Sequence, residues 1–196
     1  MWRFTWFGDK SAASVTGGGQ ITDGVNIELF KTCDGFFKRL FAICTNNTEQ
    51  HTEIAANAEE SYALQKSKMK ETGIATSIFD AMLQDADSRI FQKDGCAIFA
   101  TKSMCDALTH DMKEKYKVIM PWEVVFDGVE VSKYDGTTIV KCSIWDRFIQ
   151  AYQNNKTKLN LPHRAVLCSP ENLMYGCECT EPMSDLDIWF DKKARK

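Results

Sequence analysis

The segment Val124-Val125-Phe126-Asp127-Gly128-Val129-Glu130-Val131 decides the fold class. Apolar residues flank an Asp-Gly pair, which readily takes the positive φ angles of a type I′ turn, so the segment predicts an antiparallel hairpin. Around this hairpin, the predicted strands and helices lack the regular strand–helix–strand alternation of a doubly wound parallel sheet. The order of elements therefore predicts an α+β fold.

Upstream of the hairpin, apolar residues recur at three- and four-residue spacing, which predicts amphipathic helices. One helix is predicted over residues 26–44, with Gly35 in its middle. Its Phe-rich stripe is expected to face the core, with an oligomer interface as the alternative. A second helix is predicted over residues 74–86, after a break at Gly73, and Thr101 is expected to cap a third.

The remaining central segments predict strands, short helix starts and one polar stretch. Residues 49–71 are polar and Ala-rich, and they predict a helix with little to bury or a mobile segment. Residues 143–146 have the form of a capping box, and Ser169-Pro170-Glu171 places Ser at the N-cap and Pro at the first helical position. Strands are predicted at residues 96–100, 137–141 and 164–168.

Both ends of the chain carry alternating patterns that predict strands, over residues 2–7 and 186–190. The Gly- and Ser-rich residues 9–24 predict a flexible loop. We therefore divide the chain into residues 1–25, a strand plus a flexible loop, and residues 26–196, one α+β unit.

Composition excludes several classes of function. The 196 residues are 44% hydrophobic and 26% charged, which suits one globular unit. The net charge is −3, and Lys and Arg are scattered among Asp and Glu, so no dedicated nucleic-acid site is expected. The apolar runs are only a few residues long, against roughly 20 needed to span a bilayer, so no membrane segment is predicted. Residues 1–10 lack the apolar stretch of a secretion signal, which predicts that the chain is cytoplasmic when made.

The eight cysteines raise the possibility of a metal site. Cys168, Cys177 and Cys179 lie near His163, but a Cys-x-Cys pair is not the usual two-residue knuckle spacing. Packed or surface thiols are the favoured interpretation, because most of the cysteines have apolar neighbours and their number does not suggest a disulfide scaffold.

Other candidate chemistry also has a simpler explanation. A Cys nucleophile needs a base, but His51, His110 and His163 are all predicted to be surface residues. Asp80 and Asp87 are seven residues apart and could share a helix face for acid–base or metal chemistry, but a solvated face and a helix end are the favoured interpretation. The Gly17–Gly19 run lacks the ending of a phosphate-binding loop and reads as a linker. We therefore assign no catalytic, cofactor-binding or metal-binding residue.

A series of motifs covers most of the chain. They are FTWFGD at 4–9, IATSIFDAML and DADSR within 74–89, CAIFATKSM at 96–104, FDGV at 126–129, RAVLCSPENLMYG at 164–176 and DIWFDKKAR at 187–195. In this order the motifs resemble segments of the major capsid proteins of tailed bacteriophages, and most closely those of Bacteroidetes and crAss-like phages.

The resemblance implies the tailed-phage capsid fold, mainly its axial domain with part of the peripheral domain, to which residues 1–25 would belong. Since a full major capsid protein is considerably longer, we expect a C-terminal-side piece or a reduced relative. Its implied function is structural and not enzymatic: a subunit of an icosahedral virion shell, or of a prophage-encoded one, without catalytic site or cofactor. Its implied partners are other copies of itself in pentamers and hexamers, together with scaffolding, portal or head-decoration proteins. The alternative function is a small hydrolase or metal-binding enzyme that uses Asp80 and Asp87, or Cys168, Cys177 and Cys179.

Overall fold

A computed structural model describes residues 6, 35–47, 51–125, 128–146 and 161–173. Two short 3₁₀ helices, Ala55–Ala58 and Pro170–Asn172, accompany the main elements. The α-helices are α1 Phe36–Asn46, α2 Tyr62–Met69, α3 Ile74–Asp85, α4 Ser88–Phe91 and α5 Lys102–Lys115, and residues 143–146 are also helical. The strands are β1 Ala97–Thr101, β2 Glu123–Val124, β3 Glu130–Tyr134, β4 Thr137–Cys142 and β5 Ala165–Cys168.

The five strands form one mixed sheet in the order β2-β3-β4-β1-β5. The central pair, β1 and β4, is parallel, with Ile98 opposite Ile139, and every other neighbouring pair is antiparallel. Helix α5, β2 and β3 together make the crossover that a parallel pair requires. Antiparallel hairpins combined with one helical crossover confirm the predicted α+β class.

Each face of the sheet packs against its own helices. Because strand side chains alternate between faces, Ile98 and Ala100 lie in a core with α3 and α5, while Phe99 lies in the opposite core. That opposite core is aromatic: Trp6, Phe37 of α1 and Trp145 pack together with ring centroids about 5 Å apart. The Phe-rich stripe therefore faces the core at Phe37, as predicted.

Most central elements confirm the sequence analysis. The helix after Gly73, the strand near residues 96–100, the helix after Thr101 and the strands near 137–141 and 164–168 all form close to the predicted bounds. Gly73 has φ 92°, a left-handed conformation that glycine adopts without strain, and it ends the preceding segment as predicted. Ser169 also caps its short helix, because its hydroxyl accepts the Glu171 N–H.

The predicted two-residue turn at Asp127-Gly128 is wrong in its register. Val125 N–H donates to the Val129 carbonyl, so three residues lie between the hydrogen-bonded positions of the β2–β3 hairpin. The two-residue turn with both φ angles positive joins β3 to β4 at Asp135-Gly136, where φ is 45° and 76°. The two-residue Asp-Gly turn is therefore found in the β3–β4 hairpin and not in the β2–β3 hairpin, where it was predicted.

Three further predictions need correction. Gly35 is extended and precedes α1 at its N-cap, so α1 does not pass through it. Trp6 is helical, whereas the alternating pattern predicted a strand there. Of the segment 49–71, the described residues 51–71 contain a 3₁₀ turn and the helix α2, which buries Gln65 and Met69 and so has more to bury than the composition predicts. The predicted elements over 9–24 and 186–190 lie outside the described residues.

Candidate functional site

A serine and a histidine meet at the start of α5. Ser103 Oγ lies 2.8 Å from His163 Nδ1, and Thr101 Oγ1 lies 3.2 Å from Ser103 Oγ. The Asn57 side-chain amide holds His163 in place, since it donates to the His163 carbonyl at 2.9 Å and accepts the His163 N–H at 3.0 Å. A hydroxyl against an imidazole is the contact that nucleophilic catalysis requires, so this pair is the strongest candidate for chemistry among the described residues.

The main-chain donors beside this pair are already occupied. The Asp146 carboxylate accepts the Lys102 N–H at 2.6 Å and the Ser103 N–H at 3.2 Å. These are the first N–H groups of α5, the donors that could otherwise stabilise an oxyanion. Residues 143–146 are helical, as predicted, but Asp146 does not complete a capping box there, because its carboxylate caps α5 instead. Thr101 stands at the N-cap of α5 as predicted, but its side chain makes no capping bond.

Burial completes the case for a structural role. His163 is only 1% exposed, so its prediction as a surface residue is wrong, and Ser103 is 5% exposed. Burial lowers the pKa of His163 to about 4, although a hydrogen bond with the Gln65 main chain acts to raise it. The imidazole is therefore neutral at pH 7. The Tyr62 ring stacks on the imidazole, with ring centroids 5.9 Å apart. A hydroxyl and a ring enclosed in this way orient α2, α5 and β5 relative to one another.

The two predicted carboxylates do not act together. Asp80 lies on α3 and accepts the Tyr134 hydroxyl at 2.6 Å. Asp87 follows the end of α3 and caps α4, where its carboxylate accepts the Arg89 N–H at 2.9 Å and pairs with the Arg89 guanidinium. The Arg89 contacts lower the pKa of Asp87 to about 2. The two side chains therefore have separate helices and separate partners, and the helix-end interpretation of Asp87 is confirmed.

The cysteine and histidine candidates are also dispersed. Cys168 is buried at the end of β5, and burial raises the pKa of its thiol to about 11. Cys177 and Cys179 lie outside the described residues. His51 and His110 are exposed, as predicted. Within the described ranges, no group of three His, Cys, Asp or Glu side chains is arranged to hold a metal ion.

An exposed apolar segment connects α5 to the edge of the sheet. Of ten large apolar side chains that are exposed among the described residues, five fall between residues 116 and 125. Ile119 is 82% exposed, the highest value, and Val124 is 68% exposed. The other five are scattered singly, which is ordinary for a folded protein. We name residues 116–125 the edge strip; its exposed apolar members are Tyr116, Val118, Ile119, Val124 and Val125.

The edge strip is fastened to the body of the protein. Met120 is buried beneath it, Pro121 accepts the Ser132 hydroxyl at 2.6 Å, and the Trp122 indole donates to Thr109 Oγ1 at 3.0 Å. The Trp122 ring also lies under the Lys141 ammonium, 4.2 Å from its centroid. Before Ile119, the Val118 N–H donates to the Met112 carbonyl at 3.1 Å. Anchors on both sides of Ile119 mean that its exposure is a property of the fold.

The sequence analysis predicted neither the contact between Ser103 and His163 nor the edge strip. Ser103 and His163 are 60 positions apart, and no spacing rule relates them. The edge strip did carry a signal, because the run from Val118 to Trp122 is apolar yet belongs to no predicted element. Such an apolar run between a helix and a hairpin can be recognised in the sequence as a candidate surface, but the sequence does not predict how exposed it is.

No protein-family model, curated protein or solved structure matches the chain. None of the helices in the described part is long and apolar enough to cross a membrane.

Proposed function

We propose that the protein is a structural subunit that works by self-association, and that its place is the icosahedral head of a tailed phage. The observation that carries the first part is the edge strip. In it, Ile119 is 82% exposed and lies between the Val118 N–H bond to the Met112 carbonyl and the bonds of Pro121 and Trp122. An apolar surface that a fold holds rigidly in water is costly unless a partner covers it.

The polar residues support the same proposal. Asp146 and Asp111 accept the first N–H groups of α5 and α3, and Asp80 accepts a tyrosine hydroxyl. Each of these carboxylates already has a partner within the fold. A protein whose polar side chains hold its own helices in place is well suited to a shell, which requires a rigid unit and not a reaction.

The phage-head assignment rests on the resemblance of the ordered motifs to major capsid proteins. On this proposal the chain adopts the axial-domain fold of that family with part of the peripheral domain. It is located in the virion after assembly in the bacterial cytoplasm. Its partners are further copies in pentamers and hexamers, with scaffolding, portal or decoration proteins as additional ones. It acts without catalytic residue, metal or cofactor.

Negative-stain electron microscopy of the purified protein over a range of concentrations tests this proposal. Rings, sheets or shells are the expected result, with Ile119→Asp giving fewer of them. Leu64→Asp is the matched control, because Leu64 is also exposed, at 52%, but lies on α2 outside the edge strip. Single compact particles at every concentration would contradict the proposal.

A hydrolase is the second candidate, and the contact between Ser103 and His163 is the observation that favours it. A serine-directed fluorophosphonate separates the two candidates. The structural proposal predicts that Ser103 is not labelled in the folded protein, because both side chains are buried. Labelling of Ser103 that disappears in His163→Gln would instead establish an activated nucleophile.

A further inference from the structure

The two outermost strands of the described sheet, β2 and β5, present backbone groups to the outside. Val125 N–H donates to the β3 arm of its hairpin, and alternate residues of a strand point in opposite directions, so the N–H and C=O groups of Val124 point away from β3. At the other side of the sheet, Thr101 N–H donates to the Arg164 carbonyl, so the N–H and C=O groups of Ala165 point away from β1. Each edge therefore offers one donor and one acceptor to a further strand.

Val124 and Ala165 are the two ends of one row of directly paired residues across the sheet. The row runs from Val124 through Glu130, Lys141 and Ala100 to Ala165. Paired residues point to the same face, so both end residues lie on the face that α3 and α5 cover. Strand β2 runs parallel to β1 and β5 runs antiparallel to it, so β2 and β5 are antiparallel to each other. A second copy in the same orientation at the end of this row would therefore bring its Ala165 opposite Val124.

We propose that β2 of one copy pairs antiparallel with β5 of the next copy, with Val124 opposite Ala165, so that the sheets of successive copies are continuous. This inference rests on the proposed function, since it specifies the two surfaces through which self-association occurs. The contact is head-to-tail, because two different edges meet in it. Neighbouring strands are rotated by about 20–25°, so successive copies are rotated as well. A head-to-tail contact of this kind produces a ring where the rotation closes and a filament where it does not.

The side chains of the two edges suit a contact between copies. Val124 is 68% exposed and Val125 is 57% exposed, while β5 consists of four apolar residues, Ala165–Cys168. Proteins that keep an edge strand unpaired often place lysine or proline on it, and neither residue type occurs in β2 or β5. In the proposed pair Val124 lies against the small apolar side chain of Ala165, so the apolar face of one sheet continues into the next.

The residues that flank the two strands are complementary as well. Because the strands run antiparallel, the residues before β2 lie on the side of the residues that follow β5 in the next copy. The exposed Ile119 therefore approaches the exposed 3₁₀ helix Pro170–Asn172. Charges of opposite sign meet at this end, since Lys117 and Glu171 are both exposed. Glu171 pairs with Lys93 at 2.7 Å in its own copy, but both side chains are more than half exposed, so that pair contributes little and leaves Glu171 able to turn to a lysine.

The exposed area is close to what a contact between copies needs. From their exposed fractions, the five apolar side chains of the edge strip present on the order of 500 Å², the size at which an exposed patch marks an interaction site. A stable interface buries about 800 Å² on each partner, so the backbone edge and the charged flank have to supply only the smaller part.

Sedimentation velocity of the intact chain with two proline variants tests the head-to-tail pairing. Val124→Pro and Ala165→Pro each remove an N–H that points outward, a position at which an edge strand accepts proline, so each variant keeps its pairing within the sheet. Each alone is expected to raise the dissociation constant about tenfold or more. An equal mixture is expected to form dimers that grow no further, with a dissociation constant within about threefold of the wild-type value, because each variant retains the edge that the other has lost. Val124→Thr keeps the N–H and is the matched control, which should associate within about threefold of the wild type.

The outcomes separate this inference from the function on which it rests. Two variants that fail alone and form dimers together support the head-to-tail contact. If either variant alone associates like the wild type, or if the mixture stays monomeric, the contact is overturned but self-association stands. A wild-type protein that is monomeric at every concentration overturns both.

A measurement on the wild type alone guards against a variant that does not fold, which circular dichroism would reveal. Hydrogen exchange followed by mass spectrometry compares dilute and concentrated protein. The head-to-tail contact predicts that the amides of Val124 and Ala165 both exchange more slowly in the concentrated sample. Slower exchange at only one of these edges, or at neither, in a sample that associates would overturn the contact.

Discussion

Replacement of Asp111 by Ala is expected to destabilise the protein more than any surface change on the same helix. Asp111 lies on α5 and is fully buried, yet its carboxylate accepts the Gly73 N–H at 3.1 Å and the Thr76 N–H at 3.0 Å. These donors belong to the start of α3, which has no capping side chain of its own. Asp111 therefore caps a helix that lies 35 residues earlier in the chain.

The structure sets the size of the effect. A hydrogen bond to a charged group contributes about 1.5–3 kcal/mol, and Asp111→Ala removes two such bonds, one from the buried Thr76 N–H and one from the partly buried Gly73 N–H. We expect a loss of about 3 kcal/mol in the free energy of unfolding. For a chain of this size, 1 kcal/mol changes Tm by roughly 2–4 °C, so Tm should fall by roughly 6–12 °C.

Thermal and urea unfolding followed by circular dichroism measure this loss. Asp111→Asn keeps one acceptor oxygen and should lose about half as much. Glu114→Ala is the matched control, because Glu114 lies on the same helix, is exposed and has a loose ion pair with Lys117 at 3.8 Å. Its effect should stay within about 0.5 kcal/mol. If Asp111→Ala unfolds at the same temperature as Glu114→Ala, the capping argument is refuted.

Three further predictions follow from buried groups and turn geometry. The unfolding free energy should fall by up to about 3 kcal/mol between pH 6.5 and pH 4, because burial lowers the pKa of His163 to about 4 and the unfolded chain takes up the proton first. Urea unfolding at several pH values should show that the unfolding free energy of His163→Gln depends less on pH. An equal dependence on pH in the wild type and the variant would count against this. Iodoacetamide should not modify three buried thiols until urea unfolds the protein, because burial raises their pKa; they are those of Cys105, Cys142 and Cys168. Rapid labelling of these thiols in the native protein, detected by mass spectrometry, would contradict their buried position. Gly136→Ala should lower the unfolding free energy by about 1–2 kcal/mol in the same assay, because φ at this position is 76°. No described atom lies within 4 Å of the added methyl group, so the loss would come from backbone strain and not from a clash. An unchanged stability would argue against the turn.

The sequence was sufficient where the pattern is local. Helix α3 follows from its apolar spacing and the Gly73 break, and the short helix at Pro170 follows from Ser169 and the proline. Strand β1 follows from a short apolar run. In each case the deciding residues lie within the element itself, so propensity and packing point to the same structure.

The sequence was insufficient where residues far apart in the chain cooperate. Asp146 lies in its own helical segment, residues 143–146, as the sequence predicts, but its carboxylate caps α5, 44 positions away. His163 looked exposed because it follows a proline, but Asn57 pairs with its main chain across 106 positions and buries it. Contacts of this range depend on tertiary packing, which overrides local preference and leaves no regular spacing to detect.

The choice between two similar turns also depended on tertiary context. Asp127-Gly128 and Asp135-Gly136 have the same local chemistry, and both glycines have positive φ angles. Only the second pair forms the two-residue turn, because pairing of β3 with β4 fixes Tyr134 opposite Thr137. Register is set by the strands that pack in the core, and turn residues then accommodate it.

The central claim, that the edge strip mediates self-association, is tested most directly by sedimentation velocity of the wild-type protein and of Ile119→Asp over a concentration series. We predict that the wild-type sedimentation coefficient rises with concentration. Ile119→Asp should need on the order of 100-fold more protein for the same rise, because a carboxylate would have to be buried at the contact. Leu64→Asp, the control on α2, should follow the wild type. Identical concentration dependence for the wild type and Ile119→Asp would contradict the claim.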